Sequence, residues 1–279
     1  MAATDPPRLG IVAGAGQLPR RIVDRCRDQR RDYLLLLIDG HADPADYDGI
    51  SHRVVRLGAV GEMFQLLREN GCREVVLAGK VERPSWRGLR PDWRAAKFIA
   101  EFALKADKGD DALMSAIVAT CEGEGFKVRA PAELLEEGEP APGALGRASP
   151  DAEQLEDVKL GIEIARTVGR LDIGHAVVVQ GGFVLGVEAA EGTDALIERC
   201  GRLRRAGGGG PVLVKLRKPQ QDLRADPPAI GPATVALAAN AGFSGIAIDA
   251  AGTVIIDRAA TISAADRANL FLLAVEAPE

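Results

Sequence analysis

The chain lacks the signatures of several familiar chemistries. Its four cysteines, Cys26, Cys72, Cys121 and Cys200, are widely spaced and form no CxxC pair. Neither a zinc site nor a disulfide framework is signalled, and reduced thiols in a reducing compartment fit best. Histidine is scarce: His41, His52 and His175 are the full set, and they make no His-rich dimetal pattern. There is no GxxxxGK[ST] phosphate loop and no GxSxG nucleophile elbow. No apolar run approaches the roughly 18–20 residues that cross a bilayer. The opening MAATDPPRLGIVAGAG has no basic segment followed by a long apolar stretch, so a secretory signal is not expected. These absences lead to the expectation of a cytoplasmic protein, with contact to a membrane surface left open. A net charge of −5 argues against bulk binding to nucleic acid.

The 279 residues that are present, 47% apolar and 27% charged, suit a globular chain of about two domains. Arg8 to Ala13 reads as a short buried strand, broken by GAGQLP (14–19) and followed by a helical pattern at Ile22, Val23 and Cys26. YLLLLI (33–38) is a continuous apolar run of the kind covered on both faces. A helix over 63–70, a strand at EVVLA (74–78), a helix over 111–123 and a strand over 126–129 continue the alternation. Strands alternating with helices predict a doubly wound parallel sheet. Residues 131–150, with Pro131, Pro140, Pro142, Pro150 and a cluster of glutamates, read as a hinge or linker. A second α/β block follows. A helix over 153–169 is opened by Ser149-Pro150-Asp151, strands fall at 176–180, 184–188 and 212–216, and a helix spans 193–203. KPQQDLRADPPAIGP (218–232) has no period and reads as a loop, and segments at 235–240, 246–248, 254–256 and 264–275 complete the block. The expected organisation is two α/β domains: 1–130, a linker over 131–150, and 151–279.

The glycine loop lies between a predicted strand and a predicted helix, where backbone can approach a ligand and helix-start N–H groups face an anion. The match to the dinucleotide fingerprint is partial and makes the first domain only Rossmann-like, because Pro19 takes the third glycine position. Pro19 suits a first helical turn. Asp39 ends the next strand, which keeps an NAD(P)-binding oxidoreductase as an alternative. The bland reading is a tight turn with no ligand.

Two later segments carry charge in patterns suited to phosphate esters. In GVEAAEGTDALIE (186–198), Glu188, Glu191, Thr193 and Asp194 crowd a strand-to-helix turn, where Thr193 or Asp194 could simply cap the helix. In VKLRKPQQDLRADPP (214–228), Lys215, Arg217 and Lys218 lie beside Gln221, Asp222, Arg224 and Asp226. Carboxylates supply oxygen ligands to a hard cation, and Lys or Arg neutralises a transferring phosphoryl group. The competing reading is a solvated loop with surface ion pairs. Trp86 and Trp93 flank a basic stretch and could line an acyl groove or rest near a membrane surface; half-buried packing is the alternative. The arginine-rich helix of 20–31 reads as a solvated face, and Asp110 and Asp111 read as caps of the helix that follows.

IVAGAGQLP (11–19), VVLAGKVERP (75–84), LRPDW (89–93), KGDDALMSAI (108–117), GVEAAEGTDALI (186–197) and VKLRKPQQDLRADPPAIGP (214–232) run over nearly the whole chain. Together they resemble the UDP-2,3-diacylglucosamine pyrophosphatases of the LpxI family, which serve lipid A biosynthesis in some Gram-negative bacteria. The resemblance implies Mg²⁺-assisted hydrolysis of UDP-2,3-diacylglucosamine to UMP and 2,3-diacylglucosamine 1-phosphate, with two α/β domains holding the lipid-linked substrate between them. It implies that Gly14, Ala15, Gly16, Gln17 and Leu18, with Gly79 and Lys80, hold the nucleotide side. Asp194, Asp222 and Asp226 would serve catalysis, Asp226 and Asp222 as Mg²⁺ ligands and Asp226 as the leading acid. Lys215 and Arg224 would steady the pyrophosphate, with Thr193 and Gln221 as further substrate contacts. Peripheral contact with the inner membrane and a homo-oligomer are left open. A non-catalytic nucleotide- or lipid-binding protein is the remaining alternative.

Overall fold

The structure, a computed structural model, describes residues 6–81, 91–103, 110–135, 138–207 and 209–276. The chain divides into two compact units: Met1–Glu136 with Asp222–Asp226, and Glu137–Gln221 with Pro227–Glu279.

The first unit runs β1 (Leu9–Ala13), α1 (Leu18–Asp28), β2 (Tyr33–Ile38), β3 (Arg53–Val55), α2 (Val60–Glu69), β4 (Glu74–Ala78), α3 (Trp93–Ala103), α4 (Asp110–Gly123), β5 (Lys127–Val128) and α5 (Pro131–Leu135). Its strands form one five-stranded sheet in the order β3-β2-β1-β4-β5, with every pairing parallel. Ile11 stands opposite Leu35 on one side and Val76 on the other. Burial on both faces is why the strands read LGIVA, YLLLLI and EVVLA without a polar alternation. On α1 the buried residues are Leu18, Pro19, Ile22, Val23 and Cys26, one stripe at helical spacing. Pro19 sits in the first turn, as its missing N–H allows.

The second unit runs β6 (Gly143–Ala144), α6 (Ala152–Arg170), β7 (Ala176–Gln180), β8 (Phe183–Val187), α7 (Thr193–Arg202), β9 (Val212–Lys215), β10 (Ala229–Ile230), α8 (Pro232–Asn240), β11 (Gly245–Asp249), β12 (Val254–Ile255), α9 (Arg258–Ala268) and β13 (Phe271–Val275). Its main sheet has six strands in the order β6-β13-β11-β9-β7-β8. β13, β11 and β9 are parallel; β7 and β6 run against their neighbours. β10 and β12 form a separate parallel pair. Alternate strand residues feed two cores. Val178, Leu213, Ile246 and Leu272 pack with Leu196, Val235 and Ala265 of α7, α8 and α9. Val177, Val214, Ala247 and Phe271 pack with Val158 and Ala165 of α6. The start of α6 is fixed by a capping box: Asp151 Oδ1 accepts from Gln154 N at 2.8 Å, and Gln154 Oε1 accepts from Asp151 N at 2.9 Å.

Several sequence expectations are refined. The segment expected as a linker carries α5, with Pro131, Leu134 and Leu135 buried, and β6, paired antiparallel with β13. The stretch 264–275 divides into the end of α9 and β13, and 218–232 contains β10. Neither Thr193 nor Asp194 caps α7; Gly192 holds that position at φ 82°, with no side-chain bond. Asp111 is buried at the start of α4. Trp93 is 70% exposed, so half-buried packing does not describe it, while Trp86 lies outside the described residues. Among the described residues no helix is long and apolar enough to cross a membrane.

A buried ion cluster ties the first sheet together. Glu74, at the start of β4, accepts from Arg31 at 2.6 Å and from Arg129 at 2.9 Å. Burial would raise its carboxyl, but the two guanidinium hydrogen bonds hold it below the ordinary value. A depressed carboxyl stabilises the fold fully above its unfolded pKa, about 4.3, and the gain is lost as pH falls through the lower folded value. Glu74→Gln leaves two cations without their shared anion and is expected to cost on the order of 3 kcal/mol near neutrality. In urea melts the gap from the parent protein should shrink as pH drops below about 4.3. A gap of the same size at every pH would rule out this charge linkage.

Candidate active site

In the first unit, β1 has β2 on one side and β4 on the other, so the connections diverge at the carboxyl ends of β1 and β4. Open parallel sheets bind ligands at such a switch point. The loops after these two strands meet there in a reciprocal pair of hydrogen bonds: Ala15 N to Lys80 O and Lys80 N to Ala15 O, each 2.8 Å. A Cβ on Gly14 would lie 2.5 Å from Lys80 O, and one on Gly79, at φ 87°, would lie 2.6 Å from Ala15 O. Gly14 and Gly79 therefore permit loop-to-loop contact, a role different from the expected approach to a ligand. Gly16, at φ 97°, faces open space. Gly16, Gln17 and Lys80 are exposed and Leu18 is buried. Gln17 stands at the N-cap of α1 but makes no side-chain capping bond there. Asp39, beyond β2, is exposed.

The segment Asp222–Asp226 also belongs to this unit. Ala225 is buried in the core that contains Phe64 and Phe126. Arg224 grips Asp222 through Nε to Oδ1 at 2.9 Å and Nη2 to Oδ2 at 2.8 Å, and its Nη1 reaches Glu122 Oε1 at 2.7 Å. The Arg224 bonds hold the Asp222 carboxyl below its ordinary range. Asp226 N donates to Asp222 O at 3.1 Å, closing a turn that leaves Asp226 exposed. Asp222 and Arg224, expected to meet metal and pyrophosphate respectively, are thus bound to each other.

In the second unit, β8, β9 and β11 end at the edge where β7 begins, and one group of polar side chains gathers there. Glu188 follows β8, Thr193 opens α7, Lys215 ends β9, Asp249 ends β11 and His175 precedes β7. Lys215 Nζ donates to Thr193 Oγ1 at 2.9 Å, and Thr193 Oγ1 donates to Glu188 Oε1 at 2.7 Å. His175 N donates to Glu188 Oε2 at 3.2 Å, with His175 Nε2 3.4 Å from the same oxygen. Burial and then Lys215 push His175 below the usual imidazole range, so the ring is neutral near pH 7. Burial would raise Glu188, but Lys215, the Thr193 hydroxyl and the His175 backbone N–H hold it low and ionised. Asp249 is 1% exposed and its carboxyl is raised by burial, opposed by the Ala251 N–H and by Arg217, whose Nε lies 3.4 Å from Oδ2. Lys218 is buried and pairs with Asp172 at 2.5 Å, while its backbone N–H donates to Gln221 Oε1 at 3.0 Å. Gln221, expected to contact substrate, folds back on its own loop. Asp194 is exposed in the first turn of α7.

Of the expected site residues, the structure brings Thr193 and Lys215 together directly and adds Glu188 and His175 to them. Glu188 lay in the same acidic turn as Thr193 and was legible there. His175 and Asp172 carried no sequence signal, whereas Asp249, an acid closing the apolar run GIAID, follows the strand-end rule and could have been found. Among the described residues no group of three or more His, Cys, Asp or Glu is gathered in a way that could hold a metal ion.

Comparison with known proteins matches residues 8–138 to the LpxI N-terminal domain and residues 141–273 to the LpxI C-terminal domain. The UDP-2,3-diacylglucosamine pyrophosphatase LpxI of Caulobacter vibrioides is 39% identical over 277 residues, covering 98% of this chain and 99% of that protein. With both domain types matched in order and a relative aligned from end to end, the chain belongs to the LpxI family.

Proposed function

We propose that the chain hydrolyses the pyrophosphate bridge of UDP-2,3-diacylglucosamine, releasing UMP and 2,3-diacylglucosamine 1-phosphate. The observation that carries this reading is end-to-end identity of 39% with a relative named for that substrate. One water adds across the P–O–P bridge. Its oxygen bonds to one phosphorus, the bridging oxygen leaves on the other phosphate, and a base or solvent takes the proton released. An oxidoreductase reading is set aside because the family match includes the glycine loop, Asp39 and everything between them.

Asp226 is the residue assigned to proton removal or to a cation. It is exposed at the end of a turn braced by the Asp222–Arg224 pair, which fixes its backbone position. Asp222 and Arg224 then act by shaping that turn. In the second unit Lys215 supplies positive charge to the phosphoryl oxygens, the kind of fixed charge that lowers phosphoryl-transfer barriers. Gly16 and Gln17, at the start of α1, supply the open backbone for a nucleotide phosphate, and Gly14 and Gly79 hold the two loops that frame it.

Mg²⁺ is commonly held by one or two carboxylates together with substrate phosphates and water, with no closed protein cage. Asp226 suits that pattern; Asp222, in its bidentate pairing, suits it less, and exposed Asp194 is the candidate in the second unit. When bound, the cation would supply further positive charge against the phosphoryl oxygens.

Asp226→Asn should lower kcat by roughly 10²–10⁴-fold, the usual range for a lost acid–base group, with KM and melting temperature little changed. Turnover close to the parent value would remove Asp226 from the chemistry. EDTA should stop UMP release, and added MgCl₂ should restore it. Undiminished release in EDTA would discard the cation and leave the hydrolase reading intact.

A further inference from the structure

Thr193 was expected as a substrate contact, yet its hydroxyl already has two partners. An ionised carboxylate can only accept and an ammonium can only donate. With Glu188 Oε1 at 2.7 Å and Lys215 Nζ at 2.9 Å, the one hydroxyl proton must point to Glu188 and a lone pair must receive Lys215. The direction of the chain follows from donor chemistry alone. Nor is the hydroxyl spent on the helix, because α7 has no side-chain cap. The far end of Glu188 is anchored by the His175 backbone N–H on Oε2 and by Glu188 N donating to Ala176 O at 2.8 Å. Glu188 is 5% and Lys215 7% exposed.

We infer that Glu188 and Thr193 are positioning residues for Lys215, a relay that fixes where its ammonium is held at the carboxyl edge of β9. An interposed hydroxyl holds the ammonium in place and keeps the carboxylate one bond further off. Positions 188 and 193 come from one turn, while 215 is delivered by strand register: Lys215 pairs with Ala176 of β7, the residue next to His175. The relay therefore depends on the sheet and on the α7 turn together. Its consequence for catalysis rests on the hydrolase reading above, in which Lys215 meets the pyrophosphate.

The test combines Thr193→Val, Thr193→Ser and Lys215→Ala, with kcat and KM for UMP release and, on the substrate-free protein, the rate at which Lys215 reacts with acetic anhydride as read by peptide mass. Residues acting as one unit lose rate non-additively. Thr193→Val is expected to lower kcat about tenfold or more, in line with the coupling of contacting groups. Thr193→Ser should recover it, and the valine change should cost nothing further in the Lys215→Ala background. Lys215 labelling should rise severalfold in the valine variant and not in the serine one. Unchanged labelling in the valine variant overturns the relay, as does a tenfold loss repeated in the Lys215→Ala background. A parent protein that labels as expected but releases no UMP supports the relay and overturns the hydrolase reading.

Discussion

In both units the parallel strands are covered on two faces, so charged side chains are driven to the strand ends. A buried charge must be paired or hydrogen-bonded, and a packed sheet interior offers no partner. β2 and β9 show the result: YLLLLI is wholly apolar, and VLVK becomes polar only at its last residue. The groups gathered at the strand ends follow from that exclusion. Lys215 and Asp249 close their strands, Glu188 lies one residue beyond its own, and the glycine loops of the first unit follow β1 and β4. Within each unit, parallel direction then sends these ends to one edge of the sheet, which is how residues distant in sequence come together there.

Much of the fold was legible because long apolar runs and helix starts are local signals. The strands at 9–13, 33–38 and 74–78 and the capped start of α6 at Asp151 depend only on neighbouring residues. β3, β6 and β10 are two or three residues long, too short for a period to show. β6 exists because Gly143 and Ala144 find partners at Ala274 and Leu273, far along the chain. The site was legible in part for the same reason. The turn 188–194 reveals its acids in one stretch of sequence, but that Lys215 joins Thr193 is a matter of register. In the loop 215–226 the composition suggested cations waiting for phosphate. The structure instead satisfies Arg217, Lys218 and Arg224 with Asp249, Asp172 and Asp222. The glycines show the same lesson from the other side. Gly14 and Gly79 look like a ligand cradle, and sterically they serve a backbone clasp.

The placement of Asp222–Asp226 has a consequence for dissecting the protein. The chain gives five residues of its later half to the first unit and then returns, so the compact units do not coincide with contiguous stretches of sequence. Ala225 takes its place among Phe64, Cys121 and Phe126, and the Arg224 guanidinium bonds to Glu122. A fragment ending near residue 136 would fold with that hole unfilled, and one beginning near 137 would carry a short apolar-anchored loop without its anchorage. The turn that presents Asp226 is thus a property of the whole chain. Neither half, expressed by itself, would carry that turn in its native surroundings.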